Sequence, residues 1–152
     1  MEKDSGLQSG FKTAVIISAA FIGTLFIYAL VADFIKRIDS PFMGFVSGTE
    51  FPSSTRYVFY AISFLLFVLI PKIRRLFLDR LPSLKPDRRT PLLIKTQIIT
   101  NALCELPANL GLVLFLLNGS GRDFYLLLGI SLVLLLIFFP RLSIWNDLMS
   151  RS

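Results

Sequence analysis

The sequence predicts an all-α membrane protein: four transmembrane helices in an antiparallel bundle, with both termini inside (N-in/C-in). Three observations carry that expectation. The 152 residues are 54% hydrophobic and only 17% charged, where a soluble domain carries about a quarter charged residues. The apolar residues fall in four long blocks, so packing must come from helix against helix and against lipid. Lys72, Arg74, Arg75, Arg80, Lys85, Arg88, Arg89 and Lys95 crowd between the second and third blocks, against only Asp79 and Asp87. Such a cluster predicts a cytoplasmic, topogenic loop. The whole of 1–152 is expected to form a single integral membrane domain.

The elements follow in order. Residues Met1 to Gly10 are polar and mixed in charge and read as a short disordered tail. Thr13 to Ala32 is uncharged and long enough for a first helix, with the span near 13–35. Leu30-Val31-Ala32 also resembles a processing site, so a cleaved signal segment is the rival reading; the long run and the absence of a clearly basic leader favour the helix. Asp33 to Arg56 is a connection punctuated by Pro41, Gly44, Gly48 and Pro52, and Phe42, Phe45 and Phe51 suit the membrane interface. Tyr57 to Ile70 is the core of a short second span near 56–71, extended by Arg56 and Lys72 reaching out from its ends. Lys72 to Leu81 keeps helical spacing among basic residues, either prolonging that helix or lying on the membrane surface. Pro82, Pro86 and Pro91 break the chain before a third span near 95–117. Asn118 to Gly121 signals a tight turn, Phe124 to Phe139 builds the fourth span near 124–140, and Trp145 suits an interface anchor in a polar tail.

The third block holds the candidate site. Gln97, Asn101, Glu105 and Asn109 recur every fourth residue among Ile, Leu, Val, Ala and Phe. As one helix, Thr96 to Leu117 measures about 33 Å, with Glu105 about 14 Å from its start and so near mid-membrane. A stripe drifting about 40° per step stays on one side of the helix and must face protein or water rather than alkane. Thr100 and Cys104 widen it, and Ser18, Thr24, Tyr28 and Ser63 on the first two helices are able to donate to Glu105. Pro107 predicts a kink and withdraws the intrahelical partner of the Leu103 carbonyl. A carboxylate beside a freed carbonyl can hold a proton or a cation. The same residues also serve as a hydrogen-bonded clasp between helices. Small residues at Ala108, Gly111, Gly23 and Gly129 permit close helix approach.

The sequence also excludes classes of function. There is no histidine and one cysteine, Cys104, so a metal site of the Cys/His kind and a disulfide within the chain are both ruled out. No nucleophile–base pair or phosphate loop is present, so neither an enzyme nor a cofactor is expected. The +6 charge lies in a topogenic loop without a recognition fold, which argues against nucleic acid. The expected partners are anionic lipid headgroups at Lys72, Arg74, Arg75, Arg80, Arg88 and Arg89, and a further copy of the chain or a membrane complex. A weaker reading makes that basic loop an adaptor for anionic lipid or an acidic partner.

Two resemblances rest on these residues. The run Ala102-Leu103-Cys104-Glu105-Leu106-Pro107-Ala108-Asn109-Leu110-Gly111-Leu112-Val113 resembles the carboxylate helix of rotary ATPase proteolipid (c-type) subunits. That resemblance implies an ion-binding role for Glu105, although the glycine-repeat helix of those subunits is missing from this chain. The carboxylate helix, the turn Asn118 to Gly121, Phe124-Tyr125 and Phe139-Pro140-Arg141 together resemble uncharacterised small bacterial four-helix inner-membrane proteins. The second resemblance implies a multi-pass protein of the bacterial inner membrane and no particular activity. Two expectations result: a non-enzymatic membrane subunit or accessory protein associating through the Glu105 stripe, or a proton- or cation-binding transport component.

Overall fold

A computed structural model describes residues 2–39, 41–46 and 53–150, all of their regular structure helical. The helices are α1 (Glu2–Ile38), α2 (Ser53–Leu78), α3 (Pro86–Asn118), α4 (Gly121–Ile137) and α5 (Leu142–Ser150). Among the described residues α1 and α3 are long and apolar enough to cross a membrane, and α4 with α5 makes a third such element if their 53° bend is counted within one span. The uncharged block of α2, Tyr57 to Ile70, falls short of the roughly 20 residues a span requires.

α3 is the hub, packed against α1, α2 and α4. Three apolar clusters along it show that consecutive helices reverse direction. At one end Ala14, Leu81, Leu93 and Trp145 meet. In the middle Leu25, Leu66, Ile70, Cys104, Ala108, Leu134 and Leu135 draw on all four long helices. At the far end Ala32, Phe115 and Phe124 close the stack. α1 and α3, at about 55 and 50 Å, outrun a hydrocarbon layer of about 30 Å. The first cluster lies where they do so.

Several expectations change. Helix α1 starts at Glu2, not after a disordered tail, and Gly10 lets it approach Thr90, Ile94 and Trp145. α2 runs through Pro71 to Leu78, and α3 begins at Pro86 rather than near Lys95. The basic stretch 72–95 is therefore two helix ends joined by residues 79–85. Pro86 fits because the first helical turn needs no N–H from it. Pro91 costs one backbone bond, and its exposed ring lies in a turn held by Leu93 and Ile94 packing against Trp145 and its neighbours. Arg89, expected to face lipid headgroups, is 9% exposed and donates its Nε–H to the Leu84 carbonyl at 3.1 Å, bracing the connection. Trp145 is no interface anchor. It is 2% exposed, edge-on to Phe11 at 5.7 Å, in a helix where a polar tail was expected.

The α1–α2 connection is docked. Phe42 packs on Phe115 with ring centroids 5.1 Å apart. Helix C-termini leave their last carbonyls without partners, and here N–H groups from outside the helix take three in succession. Gly119 donates to the Phe115 carbonyl at 2.8 Å, Phe45 to Leu116 at 2.8 Å, and Val46 to Leu117 at 3.2 Å. Gly119 (φ 70°) and Gly44 (φ 88°) are left-handed, and a Cβ on either would collide with the other segment's backbone. Gly48, Phe51 and Pro52 lie outside the described residues. Of the small residues, Gly111 sits at the α3–α4 contact, where a Cβ would meet Leu127 Cβ at 3.0 Å, whereas Gly23 and Gly129 have no neighbour within reach.

Candidate functional site

The spacing that produced the polar stripe on α3 places it against α1 and α4, and it divides into two halves. The Gln97–Asn101 half is closed. Asn101 has no exposed surface, and its Nδ2 donates to Ser18 Oγ at 2.8 Å. Gln97 Nε2 donates to Asn101 Oδ1 at 3.0 Å and to the Phe138 carbonyl at 3.0 Å, with Ser18 Oγ at 3.5 Å. That carbonyl belongs to the C-cap residue of α4, whose ring centroid lies 5.9 Å from the Arg74 guanidinium carbon. Two amides thus join α1, α3 and α4. Among the described residues no buried side-chain N or O lacks a partner, as buried polar groups in lipid-facing helices require.

The Glu105–Asn109 half is open. Glu105 is half-buried, and its Oε1 accepts the Tyr28 hydroxyl at 2.8 Å. Asn109, also half-buried, takes no side-chain hydrogen bond among the described residues. The structure therefore joins Gln97 to Asn101, carries Glu105 separately to Tyr28, and leaves Asn109 outside both contacts. Of the other candidate donors, Thr24 and Ser63 turn back onto their own helices, at Ala20 and Phe59. Thr100 does the same at Thr96.

At Pro107 the partner is one that spacing on α3 does not disclose. Ser131 of α4, fully buried, accepts the Ala108 N–H at 2.8 Å through its Oγ and lies 3.4 Å from the Glu105 carbonyl. A hydroxyl inserted beside a proline re-satisfies backbone groups that the ring disturbs. α3 is one continuous helix across Pro107. The only signal for Ser131 in the sequence is a lone serine in the fourth apolar block. No grouping of three or more acidic, cysteine or histidine side chains suited to a metal occurs among the described residues.

The fold and this stripe define a helical chain with at least two elements suited to crossing a membrane, clasped by polar side chains along its central helix. The chain matches no protein-family profile, no characterised protein and no solved structure.

Proposed function

We propose that the chain is a four-span protein of the bacterial inner membrane, N-in/C-in, acting as a non-enzymatic membrane subunit or accessory protein whose α3 stripe mediates helix or subunit association. The observation that carries this reading is the direction of the stripe's bonds. Gln97 and Asn101 bind Ser18 of α1 and the Phe138 carbonyl, and Glu105 binds Tyr28 of α1. The short second span is supported by Arg56 and Lys72 at its ends, and the orientation by Lys72, Arg74, Arg75, Arg80 and Arg88 at the α2–α3 turn. Anionic headgroups of the inner leaflet are the lipid partners of that turn. Exposed Phe26, Leu30, Phe64 and Leu65 supply the lipid- or subunit-facing surface.

Glu105→Gln tests the clasp. A neutral amide oxygen still accepts from Tyr28, so fold and assembly, followed by size-exclusion light scattering of the detergent-solubilised protein, should be unchanged. Loss of assembly would show that the charge itself is required and would overturn the reading. A second reading, a proton- or cation-binding transport component, is favoured by one feature: among the described residues, half-buried Glu105 has a single side-chain hydrogen bond and lies one turn from Asn109, which has none. Labelling by an apolar carbodiimide, followed by peptide mass spectrometry, tests it. Modification of Glu105 that falls as pH or Na⁺ rises supports the ion site; labelling indifferent to both removes it.

A further inference from the structure

The end of the molecule where α2 and α4 begin carries a feature that the stripe does not use. Arg56, Tyr57 and Tyr60 from the first turns of α2 face Ser120, Arg122 and Asp123 at the start of α4 across an open cavity of about 470 Å³. That lies within the roughly 300–1,000 Å³ typical of small-molecule sites. Asp123 is only 9% exposed, yet among the described residues no guanidinium takes its oxygens. Tyr60 donates to Oδ1 at 2.5 Å and Ser120 to Oδ2 at 2.7 Å. The carboxylate is thereby fixed as part of the wall, and among the described residues most of the guanidinium N–H groups of Arg56 and Arg122 stay uncommitted. The Arg56 guanidinium carbon lies 5.0 Å from the Tyr57 ring centroid, with one N–H directed to the Tyr57 hydroxyl at 3.3 Å.

Charge selects the ligand. Two guanidiniums against one carboxylate leave one positive charge, which suits a monoanion better than a dianion. Guanidinium forks match the paired oxygens of phosphate. The surroundings add a second requirement. Tyr57 and Leu126 line the same cavity, and both are exposed large apolar side chains. A ligand seated there continues along an apolar helix surface, so it should be amphiphilic. We propose that this cavity binds the phosphodiester monoanion of a phospholipid headgroup, with Arg56 and Arg122 on the phosphate oxygens and the acyl chains descending past Leu126. In the proposed orientation this is the outer leaflet, opposite the basic α2–α3 turn, and the site stands whether or not Glu105 binds an ion.

The test uses the full-length protein in detergent, with binding of a short-chain phosphatidylglycerol followed by native mass spectrometry. The Arg56→Gln/Arg122→Gln double variant should lose at least about tenfold in affinity, the scale of removing one good charge-assisted contact. A Lys12→Gln/Arg141→Gln double variant, at two exposed cations of the other end, should bind as the wild type does. Fluorescence of Trp145, distant from the cavity, reports folding of each variant. If the Gln pair unfolds, Arg56→Lys/Arg122→Lys keeps the charge, loses the fork and should weaken binding several-fold. Competition by inorganic phosphate identifies the source. Displacement of the lipid at equal concentration means that phosphate alone is the ligand, and resistance to a hundredfold excess means that the lipid is. Wild-type affinity in the folded Arg56/Arg122 variant, or an equal loss in the Lys12/Arg141 variant, would overturn the proposal.

Discussion

The two halves of the α3 stripe carry similar residues at the same spacing and end in different states. Gln97 and Asn101 are sealed, every amide N–H that matters meeting a carbonyl or hydroxyl oxygen. Glu105 and Asn109, one and two turns on, stay half-buried, and among the described residues Tyr28 is the single side chain bonded to them. The difference lies in the neighbours. Around Asn101 the small Ser18 lets α1 close in, and the end of α4 offers a carbonyl freed by helix termination at Ile137. Around Glu105 the partner on α1 is the long Tyr28, which reaches the carboxylate through its phenol hydroxyl. A polar residue in a membrane helix is thus structural where small partners allow closure and remains available where they do not.

Substitutions should separate the halves, and we expect them to fall in a definite order. Asn101→Leu removes the donor to Ser18 and the acceptor of Gln97 together, leaving two buried groups short of a partner. We expect a loss of about 2 kcal/mol, measured by denaturant titration in mixed micelles with Trp145 fluorescence. A loss below that of Tyr28→Phe would erase the distinction between the halves. Ser131→Ala removes the hydroxyl that accepts the Ala108 N–H and should cost about 1 kcal/mol, with faster amide exchange at Ala108 as its local signature. Tyr28→Phe removes the one bond of the open half and should cost about 0.6 kcal/mol, the mean for such bonds between membrane helices. Glu105→Gln should come last, with no measurable change in the same titration, because the Tyr28 bond survives.

Much of the architecture could be read from residue order because lipid enforces it. A carboxylate and three amides at a spacing of four cannot face alkane, so the protein-facing side of α3 was legible from Gln97, Asn101, Glu105 and Asn109 alone. Tyr28 and Ser18 could be shortlisted as donors because few hydroxyls occur in the first block, but which one met Glu105 depended on the vertical register of α1 against α3. Proline positions misled. Pro86 and Pro91 looked like breaks, yet Pro86 opens α3, where its missing N–H costs nothing, and Pro91 lies within the helix, whose packing offsets one lost bond. Trp145 misled for a related reason. An interface anchor and a core tryptophan share the same local sequence, and only α1 extending back to Glu2 supplied Phe11 to bury it.

Composition and periodicity by themselves determined the helical class, the long apolar elements, the end carrying most of the basic charge and the face on which the polar stripe lies, because each follows from the cost of placing polar groups in hydrocarbon. Tertiary structure alone decided which groups close the stripe. It brought Ser18 and the Phe138 carbonyl to Gln97 and Asn101, inserted Ser131 at Pro107, let the α1–α2 connection cap α3 through Phe45 and Val46, and set Arg56 across from Asp123. Those pairings join residues far apart in the chain, so they depend on the register and separation of whole helices, quantities that the cores around Leu25, Cys104 and Leu134 settle by packing and that no local pattern encodes.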